Sequence, residues 1–141
     1  MSNLGGEWRS YFEGLKIRWK FFYTSEDIKT FARLSGDYNP IHLDPEFANK
    51  KGFDAPLIYG VLLCAQASRL IGEELPDRHS ILTNINMEFI SPGFAEDDLE
   101  FEAILVRKSD STSALEFKCR IFFALDGKTL CRGTVGAIWR H

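Results

Sequence analysis

An aspartate and a histidine lie five positions apart in the segment SGDYNPIHLDPEFA, which covers residues Ser35 to Ala48. A carboxylate and an imidazole held together can exchange protons near neutral pH, which general acid–base catalysis requires. Asn39 is held in the extended region because a proline follows it, and Pro40 has a fixed φ and no N–H. The segment therefore cannot continue as a helix, and we expect a stiff loop that presents Asp37 and His42.

The same residues have a plainer interpretation as an ordinary turn. Glycine, aspartate, asparagine and proline are common in turns because they tolerate or fix unusual backbone angles. A histidine in such a loop is usually a solvated surface residue. Against this, Ile41 is apolar and adjoins His42, which favours a loop that dips toward the core and partly desolvates Asp37. The residues alone leave both interpretations open.

Other patterns that carry chemistry are missing from the sequence. There is no G-x-S-x-G turn, no phosphate-binding P-loop and no dinucleotide-binding fingerprint. Neither the histidines nor the cysteines have the spacing of metal ligands; they are His42, His79, His141, Cys64, Cys119 and Cys131. We therefore expect no metal site.

The composition predicts an ordinary globular protein with one domain, residues 1–141. The net charge of −3 argues against a nucleic-acid partner, which would favour a basic face. The first residues lack the apolar core of a signal peptide, and no stretch approaches the length that spans a bilayer. The odd count of three cysteines indicates reduced thiols. We therefore expect a cytoplasmic protein without a membrane partner.

Two kinds of hydrophobic periodicity divide the chain. The first half carries one strand-like run and three helical runs with start and stop residues; they cover residues 15–23, 24–36, 44–52 and 59–75. The last of these is nearly apolar all round up to Arg69, so we expect a helix that is buried on most sides. The second half alternates apolar and polar residues as strands do; its runs cover residues 81–90, 99–108, 115–125 and 129–139.

This order of elements predicts an α+β fold in which four consecutive antiparallel strands follow one deeply buried helix. A curved antiparallel sheet wrapped around one long central helix satisfies both patterns, and this arrangement is the hot-dog fold. The alternative is an open α+β sheet with the helix lying across one face. Periodicity does not separate the two.

Two stretches resemble segments of one known family. They are FARLSGDYNPIHLDPEFA, residues 31–48, and GFDAPLIYGVLL, residues 52–63. The first is similar to the signature of the MaoC-like family, the (R)-specific enoyl-CoA hydratases of the hydratase 2 type, and the second to the segment that leads into that family's central helix. The resemblance covers essentially the whole chain, although only residues 36–48 are highly specific and the C-terminal strands match in pattern alone.

The resemblance implies a hot-dog fold that associates as a homodimer or a dimer of dimers. It also implies the reversible hydration of a trans-2-enoyl thioester to the (R)-3-hydroxyacyl thioester. Asp37 and His42 match the catalytic pair that holds the reacting water. No cofactor is implied, because the thioester itself can accept the electrons that the addition of water displaces.

Several further positions match functional positions of the family. Gly60 matches the residue whose backbone N–H faces the thioester carbonyl, and Ser68 matches a serine that some members carry near that carbonyl. Asn39 matches the motif asparagine, which we expect to be structural together with Pro40. Tyr59 departs from the pattern, because the family commonly has histidine immediately before this glycine. We include Tyr59 among the expected substrate-binding residues, and because it still offers a hydroxyl we expect the orientation of the loop to survive.

Two other functions remain as alternatives. A hot-dog acyl-thioesterase would need a carboxylate aimed at the carbonyl carbon, and would not call for the Asp37–His42 pair. A non-catalytic hot-dog dimer that binds acyl thioesters would keep the segment only as loop architecture. The carrier of the acyl group, coenzyme A or an acyl carrier protein, is left open by the sequence.

Overall fold

The computed structural model describes residues 8–140, and its five strands form one antiparallel sheet in the order β1-β3-β4-β5-β2. The strands are β1 (Lys16–Phe21), β2 (Ser80–Phe89), β3 (Leu99–Ser109), β4 (Ala114–Phe123) and β5 (Thr129–Trp139). The predicted antiparallel sheet with a central helix is confirmed. The predictions for residues 1–7 and for His141 lie outside the described residues.

The alternation in β4 separates a buried face from a more exposed one. Its buried side chains recur at every second position; they include Leu115, Phe117, Cys119 and Ile121. Register shifts interrupt three of the four strand pairs. Such bulges bend a strand and increase its twist, which lets the sheet curve around the helix.

Two short helices precede the central one, and a side chain caps the start of each. In α1 (Ser25–Ser35), the Thr24 hydroxyl accepts from the Asp27 N–H, and the Asp27 carboxylate accepts from the Thr24 N–H. Gly36 ends this helix with φ of 76°, in the left-handed region that favours glycine. In α2 (Pro45–Lys50), Asp44 is the cap and proline takes the first position.

The central helix α3 (Gly60–Arg69) continues into a wider helical turn, Leu70–Glu74. Only one side of it is buried in the single chain; the buried residues are Leu63, Gln66, Ala67, Leu70 and Ile71. Its other side is exposed at Val61, Ala65 and Ser68. The expectation of burial on most sides is therefore wrong for one chain, because no segment between residues 8 and 140 covers this side.

A buried polar chain attaches α3 to the first strand. The Trp19 indole N–H donates to the Gln66 side-chain oxygen at 2.8 Å, and the Gln66 amide donates to the Tyr23 hydroxyl at 2.7 Å. That hydroxyl donates in turn to the Leu62 carbonyl at 2.8 Å. Because each buried group has a partner, Gln66 stabilises the helix–sheet contact instead of destabilising the core.

Strand β2 occupies an edge of the sheet beyond β5, so it is not a neighbour of β3, the strand that follows it in sequence. Ile85 and Phe89 pair with buried Val135 and Cys131, and therefore lie on the face that carries α3. They nevertheless remain 37% and 52% exposed. Exposed apolar side chains on an unpaired edge are unusual in a monomer. Within residues 8–140, no helix has the length and apolar character needed to cross a membrane.

Candidate active site

The loop between α1 and α2 is built from side-chain to backbone hydrogen bonds. The Asp37 N–H donates to the Ser35 hydroxyl at 3.1 Å, and the Asn39 N–H donates to Asp37 Oδ1 at 3.1 Å. The Asn39 side-chain oxygen then accepts from the Ile41 N–H at 3.0 Å and caps a single helical turn, Pro40–His42. The loop thus holds its shape locally, and one oxygen of Asp37 is part of that shape.

The His42 ring has a defined orientation and a defined tautomer. Its Nδ1 lies 2.7 Å from the Leu57 carbonyl oxygen. A carbonyl oxygen only accepts, so Nδ1 must carry the hydrogen. In the neutral ring, Nε2 is then a bare acceptor. The half-buried ring therefore presents a proton-accepting nitrogen on the side away from Leu57.

Tyr59 contacts both members of the predicted catalytic pair. Its hydroxyl donates to the Asp37 carbonyl oxygen at 2.6 Å, and its ring stacks on that of His42 with centroids 3.9 Å apart and planes inclined by 25°. Phe31 also packs against the Tyr59 ring, with centroids 4.7 Å apart. Burial and, secondarily, the nearby Asp37 charge raise the pKa of Tyr59, so the phenol keeps its proton and remains a donor.

Helix α3 begins at Gly60, directly after this tyrosine. Among residues 8–140, no side chain caps the start of the helix, so its first N–H groups remain available to a ligand. A side chain at Gly60 would place its Cβ 2.9 Å from the Phe89 ring, so only glycine fits without moving that ring. A free N–H at a helix start favours a bound negative charge.

Ser68 lies apart from the other expected site residues. It is eight residues beyond Gly60, about 12 Å further along the helix axis, on the exposed side of α3. Its expected place near the thioester carbonyl stays a prediction.

Two mostly apolar cavities adjoin the candidate site. His42 lines one of about 470 Å³, together with Ile28 of α1 and the turn around Phe94. Gly60 lines another of about 320 Å³, together with Leu63 and Phe89. The segment between residues 55 and 60 contributes to both cavities. An apolar chain would therefore find apolar walls in these cavities, and a polar group attached to it would meet His42 and the backbone of Gly60.

The loop between α1 and α2 is more exposed than the sequence predicts. Asp37 and Asn39 are exposed, whereas Ile41, His42 and Leu43 are partly buried. The loop therefore does not carry Asp37 into the core of the single chain. The physical reason is that no segment of the described chain lies over residues 36–40.

Some site contacts carry no signal in the sequence. The Leu57 carbonyl that orients His42 is a backbone group, which any residue type supplies. Phe89 faces Gly60 only because β2 lies at the sheet edge next to α3. Tyr59 is visible in the sequence as a departure from the family pattern, but its contacts depend on where the loop lies.

Comparison with known proteins places these features in a family. The family model described as "MaoC like domain" matches residues 13–119. The (R)-specific enoyl-CoA hydratase of Aeromonas caviae is 33% identical over 109 residues, which are 77% of this chain and 81% of that protein. The mitochondrial 3-hydroxyacyl-[acyl-carrier-protein] dehydratase of Arabidopsis thaliana is 32% identical over 102 residues, 71% of this chain and 60% of that protein.

The three-dimensional structure agrees with this relationship. The solved (R)-hydratase from A. caviae, described as involved in PHA biosynthesis, superposes with a TM-score of 0.87 at 30% identity. The superposition covers 94% of this chain and 99% of that one.

Proposed function

Because the chain belongs to the MaoC-like domain family, we propose that it catalyses the reversible addition of water to a trans-2-enoyl thioester, giving the (R)-3-hydroxyacyl thioester. The family and the hot-dog fold predicted from the sequence are both confirmed. Relatives at about one-third identity that are named hydratase and dehydratase support an enzyme of that class. The roles of individual residues and the homodimer are also parts of this proposal.

One observation carries the assignment of the catalytic residues. A single buried side chain, Tyr59, contacts the backbone of Asp37 and the ring of His42, directly before the start of α3. This contact fixes the positions of residues 37 and 42 relative to the start of the helix, as a catalytic site requires. The contact therefore favours catalysis over the interpretation of residues 35–48 as an ordinary turn.

The proton-accepting groups of the site suit one water molecule. The carboxylate oxygens of Asp37 accept hydrogen bonds, and Nε2 of His42 can also accept because Nδ1 donates to the Leu57 carbonyl. We propose that a water lies between these two acceptors and donates one hydrogen to each. Its oxygen lone pair is then free to attack the β-carbon of the enoyl group. We propose that Asp37 takes the proton of the attacking water and that His42 orients it.

The electrons displaced by this attack go to the thioester. As the water oxygen bonds to the β-carbon, the double-bond electrons move to the carbonyl oxygen and form an enolate. The Gly60 N–H and the dipole of α3 would stabilise that charge, and one such donor contributes about 3 kcal/mol. The proton taken from water returns to the α-carbon as the enolate collapses. No cofactor is required, because the thioester accepts the electrons itself.

The test is a spectrophotometric assay of the enoyl double bond with crotonyl-CoA, longer enoyl-CoA substrates and an enoyl-acyl carrier protein. We expect loss of the double-bond absorbance and formation of the (R)-3-hydroxyacyl product. The reverse reaction should consume the (R)-3-hydroxyacyl thioester and leave its (S) isomer unchanged. Release of free thiol with the double bond intact would identify a thioesterase instead. Inactivity on all of these substrates would favour the non-catalytic alternative.

We also propose that the protein works as a homodimer. Val61 of α3 and the β2 residues Ile85 and Phe89 form an apolar surface, the α3–β2 patch. Val61 is 68% exposed in the single chain. A second copy over this patch would bury it, and would help to cover the start of α3. The three free cysteines are consistent with a reducing compartment, and we propose the cytoplasm.

Ile85→Lys is expected to produce a monomer, because it places a charge in the proposed interface. Analytical ultracentrifugation should give twice the mass of the chain for the unmodified protein and the mass of one chain for the variant. Val106→Lys is the control, since Val106 is an exposed β-branched residue on β3 and should leave the dimer intact. A variant Ile85→Lys that stays dimeric would contradict this interface.

A further inference from the structure

We infer that Tyr59 is a positioning residue that fixes both members of the water-binding pair through one side chain. Its hydroxyl fixes the backbone of Asp37, and its ring fixes the plane of the His42 imidazole. The inference rests on the proposed function, since Asp37 and His42 must be the residues that bind water. It differs from the expectation that Tyr59 itself binds substrate.

The surroundings of Tyr59 hold it in one place. Tyr59 is 2% exposed, and its ring stacks on that of His42 at 3.9 Å and packs at a tilt against that of Phe31 at 4.7 Å, both measured between ring centroids. Its backbone is the cap of α3, whose first helical bond runs from the Leu63 N–H to the Tyr59 carbonyl at 3.2 Å. Tyr59 thus connects the start of the central helix to the exposed residues 36–40 of the loop.

A direct chemical role for the phenol does not fit its position. The hydroxyl already donates its hydrogen to the Asp37 carbonyl, so that hydrogen is not available to a substrate. Among the described residues, Tyr59 is not part of the wall of either cavity, whereas Gly60 and His42 each line one. The raised pKa keeps the phenol protonated across the physiological range, which makes it a permanent donor to Asp37.

A precise function for this contact follows from the geometry of the reaction. The attacking water needs two acceptors at a fixed separation, and Asp37 and His42 are in different parts of the loop. Tyr59 touches one through a hydrogen bond and the other through stacking, so it sets their relative placement. A displacement of about 1 Å in such a site can lower the rate about a hundredfold.

Tyr59→Phe removes the hydroxyl and keeps the ring on His42. We expect kcat to fall by about ten- to a hundredfold, while KM stays within about twofold, because the substrate contacts remain. Tyr23→Phe is the matched control. It too removes a hydroxyl that donates to a backbone carbonyl, that of Leu62; it also removes the acceptor of the Gln66 amide, but it leaves the loop untouched. We expect it to lower the melting temperature and to keep kcat within about twofold.

A second variant, Tyr59→Leu, removes both the hydrogen bond to Asp37 and the stacking on His42. Its effect is measured by NMR as well as by the rate of hydration. A stacked aromatic ring displaces the ring-proton resonances of His42, which can be assigned by comparison with His42→Ala. We expect the displacement to persist in Tyr59→Phe and to disappear in Tyr59→Leu, and kcat to fall further in Tyr59→Leu than in Tyr59→Phe.

Three results would overturn the inference: a Tyr59→Phe variant with unchanged kcat, one in which only KM rises, or a His42 resonance that Tyr59→Leu does not move. Failure of the proposed function is a separate result, because wild-type protein would then hydrate none of the enoyl thioesters. The NMR comparison tests the placement of His42 in either case.

Discussion

Asp37→Asn is expected to lower kcat for hydration by about a thousandfold and to leave KM within about twofold. The amide has the shape of the carboxylate but cannot take a proton from water. Its oxygen can still accept from the Asn39 N–H, the bond that holds the loop in place. The loss should therefore reflect the missing base and not a collapsed loop.

The control for this substitution lies in a turn that lines neither of the two cavities beside the candidate site. Asp126, in the turn between β4 and β5, also accepts at Oδ1 from the N–H two residues further on, that of Lys128, at 2.9 Å. Asp126→Asn thus makes the same chemical change in the same local geometry. We expect its kcat to equal that of wild type. If Asp37→Asn hydrates crotonyl-CoA as fast as Asp126→Asn, Asp37 is not the base.

Most secondary structure follows from the sequence because its signals are local. The capping box of Thr24 and Asp27 and the helix stop at Gly36 involve neighbouring residues, and they bound the helix within the predicted run, residues 24–36. The alternation of β4 likewise determines which side chains are buried, whichever strand lies beside it. These interactions do not depend on the rest of the fold.

The features that the sequence did not reveal depend on long-range pairing or on a second chain. The place of β2 beyond β5 is decided by the pairing of residues about 50 positions apart in the chain, such as Ile85 with Val135. The all-round apolar character of α3 predicts burial that one chain does not provide. A partner over the exposed side of Val61 would remove this difference.

The candidate site was predictable in its residue types and only partly in its contacts. Asp37, His42 and Gly60 are identified by the family pattern, because their chemistry requires those types. The structure shows which contacts hold Asp37 and His42 in place. The tautomer of His42 depends on a backbone carbonyl, and the role of Tyr59 depends on a hydroxyl that reaches the Asp37 backbone. Neither leaves a pattern in a single sequence.

His42→Asn is expected to lower kcat by about a thousandfold in a protein that remains folded. The asparagine side-chain nitrogen can occupy the place of Nδ1 and keep the hydrogen bond to the Leu57 carbonyl, which is 2.7 Å long in the unsubstituted protein. What it lacks is the second ring nitrogen, which we propose accepts a hydrogen from the attacking water. His79→Asn is the control, because the ring of His79 packs against Trp139 and lies outside the proposed site. It should keep kcat within about twofold.

Comparison with His42→Gln separates two roles of the imidazole, accepting a hydrogen bond from the water and taking a proton from it. The longer glutamine side chain can bring an amide oxygen to the position of Nε2, where it accepts a hydrogen bond but takes no proton. If His42 orients the water while Asp37 takes the proton, His42→Gln should be about tenfold faster than His42→Asn. Equal and large losses in both variants would mean that the imidazole itself transfers the proton, and the roles proposed for Asp37 and His42 would be reversed. Wild-type rates in both would exclude His42 from catalysis, because neither amide supplies a titratable nitrogen at that position.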